Sequence, residues 1–365
     1  MALIVQKYGG SSVATPDKIR DLARRIVARH ESGDKVVVVV SAMGKSTDTL
    51  VSQARELAQS PDPREMDMLV SAGERISIAM MSIAINGIRP GLAMSFTGSQ
   101  IGLITDCNHG DARVLEVKGD RLREALDQGR IAVVAGFQGV STTREITTLG
   151  RGGSDTTAVA VAAALAADVC EIYSDVDGVY TSDPRLAPSA RRLDRVDYET
   201  MLEMSAAGAK VLKDDAVEYA RRLGVRIAAG SSSSGIIGTI VSCENLNRDT
   251  LQAMVYYDRL RWIAYEEGVP LPPDCRLCQS VEGRRVVIVD EKHVGVMEGV
   301  PCVSLSLIGS RVAAQRDRVS AVLTRLEASG NRVLAISSTA SKYEIFLEDA
   351  VPQPVVAAIH DMLFA

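Results

Sequence analysis

Gly150 to Asp155 hold three glycines, an arginine, a serine and an aspartate in six residues, and a long Ala/Val run follows at once. A helix beginning near Ser154 leaves its first N–H groups unpaired, at the positive end of its dipole. Glycines remove the Cβ atoms that would hold a phosphate or carboxylate away from that backbone. Arg151 adds a planar fork of donors suited to either anion. The stretch therefore reads as an anion seat, or as a glycine-rich turn that lets a helix pack closely on a strand. Three other loops carry similar chemistry: Lys7, Gly9, Gly10 and Ser11; Ser41, Lys45 and Thr47; and Ser174, Asp175 and Asp177.

The elements around these loops alternate. Residues 2–8 read as a short buried strand, 16–29 as an amphipathic helix, and 35–42 as a continuous apolar strand covered on both faces. Helical patterns follow at 47–59 and 64–86, a buried strand at 131–137, a helix at 154–167 and a strand at 169–175. Helices at 197–206 and 209–223 and strands at 225–229 and 239–242 close the region. Strands alternating with helices predict a parallel α/β sheet. Ligands of such sheets bind in the loops at the carboxyl ends of the strands, where Lys7, Arg151, Asp155 and Asp175 fall.

Composition narrows the class. The 365 residues are 46% hydrophobic and 24% charged, enough for two or three domains. A net charge of -5 without a Lys/Arg tract argues against nucleic acid as a partner. No apolar run reaches the ~18 to 20 residues of a membrane span, so no membrane partner is expected. The start of the chain lacks a secretory pattern and the six cysteines are scattered, which predicts a reducing cytoplasm. Cys275 and Cys278 have CxxC spacing, but His293 and Cys302 complete no recognisable zinc pattern, and two unrelated thiols is the preferred reading. Two phosphate motifs are excluded. "AMGKST" has Val39 where a P-loop needs its first glycine, and "GRGGSD" has Asp155 where a dinucleotide fingerprint ends in glycine.

Longer motifs are more specific. "KYGGSSV" (7–13), "VVVSAMGKSTDTL" (38–50), "SAGERIS" (71–77), "SFTGSQ" (95–100), "TTLGRGGSDTTA" (147–158) and "YSDVDGVYTSDPR" (173–185) resemble the aspartate kinases, in that family's order and spacing. The resemblance covers nearly all of residues 1–242. It implies an α/β protein: an αβα sandwich amino-acid kinase domain with a mainly parallel sheet at 1–245, then an α+β ACT-like regulatory region. The latter divides into a truncated or degenerate first module at 246–300 and a second at 301–365. The implied reaction moves the γ-phosphoryl group of ATP to the β-carboxylate of L-aspartate, giving 4-phospho-L-aspartate, the entry to lysine and threonine synthesis.

That carboxylate, with a pKa near 4, is ionised at neutral pH, so no general base is required. Catalysis then consists of positioning and charge neutralisation. By the resemblance Lys7, Asp155 and Lys210 are catalytic, Lys7 neutralising the transferring group and Asp155 organising the lysines. Ser41, Thr47, Glu74, Arg151, Gly152, Gly153 and Ser154 would hold aspartate, Glu74 at its ammonium and Arg151 at its α-carboxylate. Lys7, Tyr8, Gly9, Gly10, Ser174, Asp175, Tyr180, Arg185, Lys210 and Val211 would contact ATP. Mg2+ would be held by phosphate oxygens and water, without protein ligands. A homodimer through the ACT-like region is expected.

Departures from the family pattern cluster late in the chain. Asp215 stands where relatives carry arginine, and "RIAAGSS" (226–232) replaces "RVRSS". Residues 303–347 read as strand, helix and two strands before a helix at 351–363, like an ACT module. The preceding residues 249–300 are short for a module, lack a glycine-rich effector loop and carry three prolines within 269–275. Reduced or altered feedback by lysine or threonine is expected, against a divergent module that still binds an effector. The competing functions are a sister kinase for another carboxylate substrate and a regulatory pseudokinase.

Overall fold

The computed structural model describes residues 1–150, 152–209, 211–244, 251–265, 271, 275–281, 284–291 and 299–364. The chain falls into two compact units. The first takes Met1–Val179, Asp194–Tyr198 and Val211–Glu244; the second takes Tyr180–Leu193, Glu199–Lys210 and Asn245–Ala365.

The chain begins β1 (Leu3–Tyr8), α1 (Pro16–Glu31), β2 (Lys35–Val40), α2 (Ser46–Leu57), α3 (Pro63–Val70) and α4 (Ala72–Ile88). It continues with β3 (Ala93–Phe96), β4 (Leu103–Thr105), β5 (Val114–Val117), α5 (Asp120–Asp127), β6 (Ile131–Ala135), β7 (Gln138–Ser141) and β8 (Ile146–Thr148). Then come α6 (Gly153–Ala164), β9 (Val169–Ser174), the short strands β10 (Val179–Tyr180), β11 (Arg192–Leu193) and β12 (Arg195–Asp197), and α7 (Tyr198–Ala207). The helix α8 (Asp214–Leu223) and strands β13 (Ile227–Ser231) and β14 (Ile237–Ser242) follow.

Eight strands form the main sheet in the order β12-β14-β13-β9-β1-β2-β6-β3. All neighbours from β13 to β3 are parallel, and β14 runs antiparallel to β13. The unbroken valine run of β2 follows from its place in the middle, where Val36 to Val40 have no exposed surface. On one face α1 and α4 bury Ile19, Leu22, Ile26, Ile78, Met81 and Ile85 against Val36, Val38, Val40 and Val133. The hydroxyl of Thr15 caps α1 through the Lys18 N–H, with Pro16 in its first turn. On the other face lie α6 and, packed beside it, α8. The expected αβα sandwich with a mainly parallel sheet is therefore the observed fold.

Several local expectations are corrected. The single helix at 64–86 is two, broken at Ser71, whose carbonyl accepts from Gln138 Nε2 at 2.8 Å. Taken together, Pro63–Ile88 is long and apolar enough to cross a membrane, contrary to the sequence reading, yet α4 packs one side on the sheet. The strand expected to reach Phe137 stops at Ala135, because Phe137 takes a left-handed φ of 69°. The helix expected from 209 begins at Asp214, after Gly208 turns the chain with φ 114°. A four-stranded sheet, β5-β4-β7-β8, was not foreseen.

In the second unit the long strand β15 (Leu251–Tyr265) is followed by β16 (Leu277–Val281), β17 (Arg284–Asp290), β18 (Val300–Gly309), α9 (Arg316–Ala328), β19 (Val333–Ser338), β20 (Lys342–Leu347) and α10 (Gln353–Phe364). These strands make one antiparallel sheet, β16-β17-β15-β18-β20-β19. The helices α9 and α10 bury Val322, Leu326, Val356 and Ile359 with Leu305, Leu307, Ile345 and Leu347. Toward the other side, Arg276 and Lys342 flank the buried Glu344, and Ser341 donates to Glu203 of α7 at 2.6 Å. Cys275 and Cys278 are free thiols.

Met81 has no exposed surface and fills the space between α4 and the sheet. Met81→Ala should cost about 2 to 5 kcal/mol. Urea unfolding should show an earlier first-unit transition with unchanged slope; a midpoint equal to wild type would contradict this packing.

Candidate active site

The carboxyl ends of β1, β2, β6 and β9 carry the loops that the motifs predict. Register pairs Lys7 with Val39 and Ile172, and Tyr8 with Val40 and Tyr173. Strand alternation sends Lys7 to the α6 face, where its Nζ lies 2.5 Å from Asp155 Oδ1, in the first turn of α6. Both side chains are about nine-tenths buried, at 12% and 10% exposure, so this is a largely desolvated pair. The Lys7 ammonium hangs over Gly9, 3.6 Å from where a Cβ there would sit. On the opposite face Tyr8 stacks on Tyr173 with ring centroids 5.0 Å apart, and Gln6 and Tyr173 both donate to the buried Glu171. Burial pushes both phenols well above their ordinary range.

The first two loops are fixed to each other. The Ser41 N–H donates to Tyr8 O at 3.1 Å and the Gly44 N–H to Gly10 O at 3.0 Å. A Cβ on Gly10 would lie 2.7 Å from the Ala42 carbonyl oxygen, so glycine is required by that approach. Glu74 reaches the same loop from the first turn of α4, its Oε1 accepting the Ala42 N–H at 3.0 Å. Its Oε2 is buried and has no partner, and burial pushes the carboxyl up to about 7. Ser46 Oγ is likewise buried without a partner, while the adjacent Thr47 is half-buried in the first turn of α2. A carboxylate oxygen buried without a donor fits a cationic group brought by a ligand.

The glycine-rich turn serves packing and opens the helix start. Gly152 has φ 80°, and the Lys213 side chain occupies the place a Cβ would take there. Gly153 and Ser154 are buried in the first turn of α6. Thr157 donates to Gly153 O at 2.8 Å and accepts the Phe137 N–H at 3.0 Å, tying the turn to the end of β6. Arg151 and Lys210 lie outside the described residues.

At the end of β9 the Ser174 carbonyl accepts the Ser232 N–H at 2.8 Å, and Asp175 is exposed. Val211 is half-buried. Tyr180 and Arg185 belong to the second unit, where the Arg185 guanidinium lies 2.6 Å from Asp183. Asp215 has its carboxyl pushed up by burial and by the charges of Asp214 and Asp111. Sequence reasoning missed Ser46 and Lys213. The first is a neighbour of the chosen Thr47, and the second meets Gly152 only through the fold. Among the described residues no group of three or more His, Cys, Asp and Glu side chains could hold a metal ion.

A model of the amino acid kinase family matches residues 2–228. The aspartokinase of Mycolicibacterium smegmatis is 56% identical over 277 residues, 75% of this chain and 66% of the relative. That of Mycobacterium tuberculosis is 57% identical over 242 residues, 66% of this chain and 57% of the relative. The crystal structure of aspartate kinase from Synechocystis is 34% identical, with TM-score 0.61, covering 100% of this chain and 70% of the other. Escherichia coli aspartokinase III in complex with aspartate and ADP superposes with TM-score 0.82 over 100% of both chains; at 22% identity this is a likeness of fold. The chain belongs to the amino acid kinase family and, within it, to the aspartate kinases. It spans 57% to 66% of the length of those two curated relatives.

The raised pKa of Glu74 fixes a sign. Its protonated form is favoured on folding, so its contribution is present below about pH 4.5 and is lost as pH rises through about 7. In the unliganded protein Glu74→Gln should therefore raise the melting temperature at pH 8 and leave it nearly unchanged at pH 4.5. An equal shift at both pH values would contradict a buried, unpaired carboxylate.

Proposed function

We propose that this chain is an ATP-dependent aspartate kinase, transferring the γ-phosphoryl group of ATP to the β-carboxylate of L-aspartate to give 4-phospho-L-aspartate. The observation that carries the reading is the desolvated Lys7–Asp155 pair, set where β1 and the start of α6 meet. Two anions must be brought together, and a lysine held at that point by a carboxylate offers fixed positive charge to the transferring group. Glu74, with an unpaired buried oxygen, would take the substrate ammonium, and Ser41, Ser46 and Thr47 line the same loop. Arg151, with Gly152, Gly153 and Ser154, would seat the α-carboxylate.

Tyr8, Gly9, Gly10, Ser174, Asp175, Tyr180, Arg185, Lys210 and Val211 are proposed for ATP, with Lys7 and Lys210 at its phosphates. Mg2+ would neutralise phosphate charge while held by phosphate oxygens and water. Residues 1–245 would be the catalytic domain, in the cytoplasm, feeding lysine and threonine synthesis. Residues 301–365 would form an ACT-like module and a homodimer contact. Among the described residues 246–300 contribute β15, β16 and β17 without an α-helix, unlike the helix-bearing stretch that follows. The degenerate first module and reduced feedback rest on the short, proline-bearing sequence of that stretch.

The test is an ATP-dependent assay in which hydroxylamine traps the acyl phosphate. L-Aspartate should give hydroxamate, and Lys7→Ala should lower kcat at least about a hundredfold. Added lysine or threonine should leave the wild-type rate unchanged. Folded wild-type protein giving no hydroxamate would defeat the proposed activity; inhibition by either amino acid would defeat only the reduced feedback.

A further inference from the structure

Asp67 lies on α3, outside every motif that the proposed chemistry uses, and it is 1% exposed. Four contacts converge on its carboxylate. The Thr148 hydroxyl donates to Oδ1 at 2.5 Å, the Gly110 N–H reaches both oxygens at 3.2 Å, and His109 Nδ1 lies 2.7 Å from Oδ2. A carboxylate this deeply buried is tolerated because donors surround it. The segments it joins are the two that flank the glycine-rich turn. Thr148 ends β8, two residues before Gly150, and its carbonyl accepts the Ala112 N–H at 2.8 Å. Asp111 and the Gly110 carbonyl lie against Gly150, where a Cβ would strike Asp111 Oδ1 and touch the carbonyl at 3.5 Å.

The same helix is stitched to the rest of the β7–β8 hairpin. Arg64 reaches Glu145 at the hairpin turn at 2.9 Å, and Gln138 donates to Ser71 O at 2.8 Å. One turn beyond Ser71 stands Glu74. The short α3–α4 corner thus fixes Glu74 at one end and Thr148 with the glycine turn at the other.

We propose that Asp67 is a positioning residue for the amino-acid substrate: it holds Thr148 and the 109–110 loop so that Gly150, where the glycine-rich stretch opens, keeps its place relative to Glu74. The role rests on the aspartate kinase reading above. An amide at 67 would set its NH2 against the Gly110 N–H whichever way it is turned and should loosen the turn, as should loss of the Thr148 hydroxyl. The experiment is steady-state kinetics of wild type, Asp67→Asn, Thr148→Val and Thr148→Ser, with KM measured for L-aspartate and for ATP. Asp67→Asn and Thr148→Val should raise KM for aspartate at least tenfold and KM for ATP less than twofold, while Thr148→Ser should stay near wild type. Thr148→Val leaves the buried carboxylate in place, so it reports even if Asp67→Asn does not fold. Unchanged KM for aspartate in folded Thr148→Val, or equal rises for both substrates, would overturn the positioning role and leave the aspartate kinase reading intact. A folded wild type without aspartate activity would overturn both.

Discussion

The ion pair between Lys7 and Asp155 is the constraint on which the site depends. Each partner is nearly withdrawn from water, so neither could remain charged there alone without a large desolvation cost. Lys7 is carried by the central strand β1, and Asp155 by the first turn of the helix packed over it. The pair therefore fixes the start of α6 against the sheet at the level where the loops open. Its electrostatics also suit a site for anions. In the proposed reaction an incoming phosphate would compete with Asp155 for the ammonium, a charge already in place that would need little reorganisation. On the opposite face the Tyr8–Tyr173 stack and the Gln6–Glu171 bond tie β1 to β9.

Much of this was legible in the residues. The continuous valines of β2 announce a strand covered on both sides, and the helices after Thr15 and near Ser154 begin close to where their caps and glycines indicate. The small sheet β5-β4-β7-β8 was not legible. Its strands, such as Ile146–Thr148 and Leu103–Thr105, are three or four residues long and show no resolvable period. At the α3–α4 junction Gln138, 67 residues away, donates to the Ser71 carbonyl, a contact that no local pattern reports. The glycine-rich turn answers to its packing reading. Gly152 is required by its left-handed φ and by Lys213, while the helix start it precedes faces the Lys7 loop.

The site separates in the same way. Lys7, Asp155 and Glu74 stand in motifs as candidates, but the unpaired oxygen of Glu74 and the burial that pushes its carboxyl up to about 7 come from the fold. Asp67 could not have been chosen, because its partners lie 42 and 81 residues along the chain. In the second unit the strand–helix–strand–strand–helix order after 300 was read correctly. The sharing of one sheet across β15 and β18 was not, since register between distant strands is written in packing.

The most direct test of the central claim follows the transferred oxygen. L-Aspartate labelled with 18O in its β-carboxylate would be incubated with ATP, Mg2+ and hydroxylamine, and the released phosphate read by 31P NMR. Hydroxylamine attacks the acyl carbon and leaves the bridging oxygen on phosphorus. Phosphate carrying one 18O is the predicted result. Hydroxamate formed with wholly unlabelled phosphate would contradict phosphoryl transfer to that carboxylate.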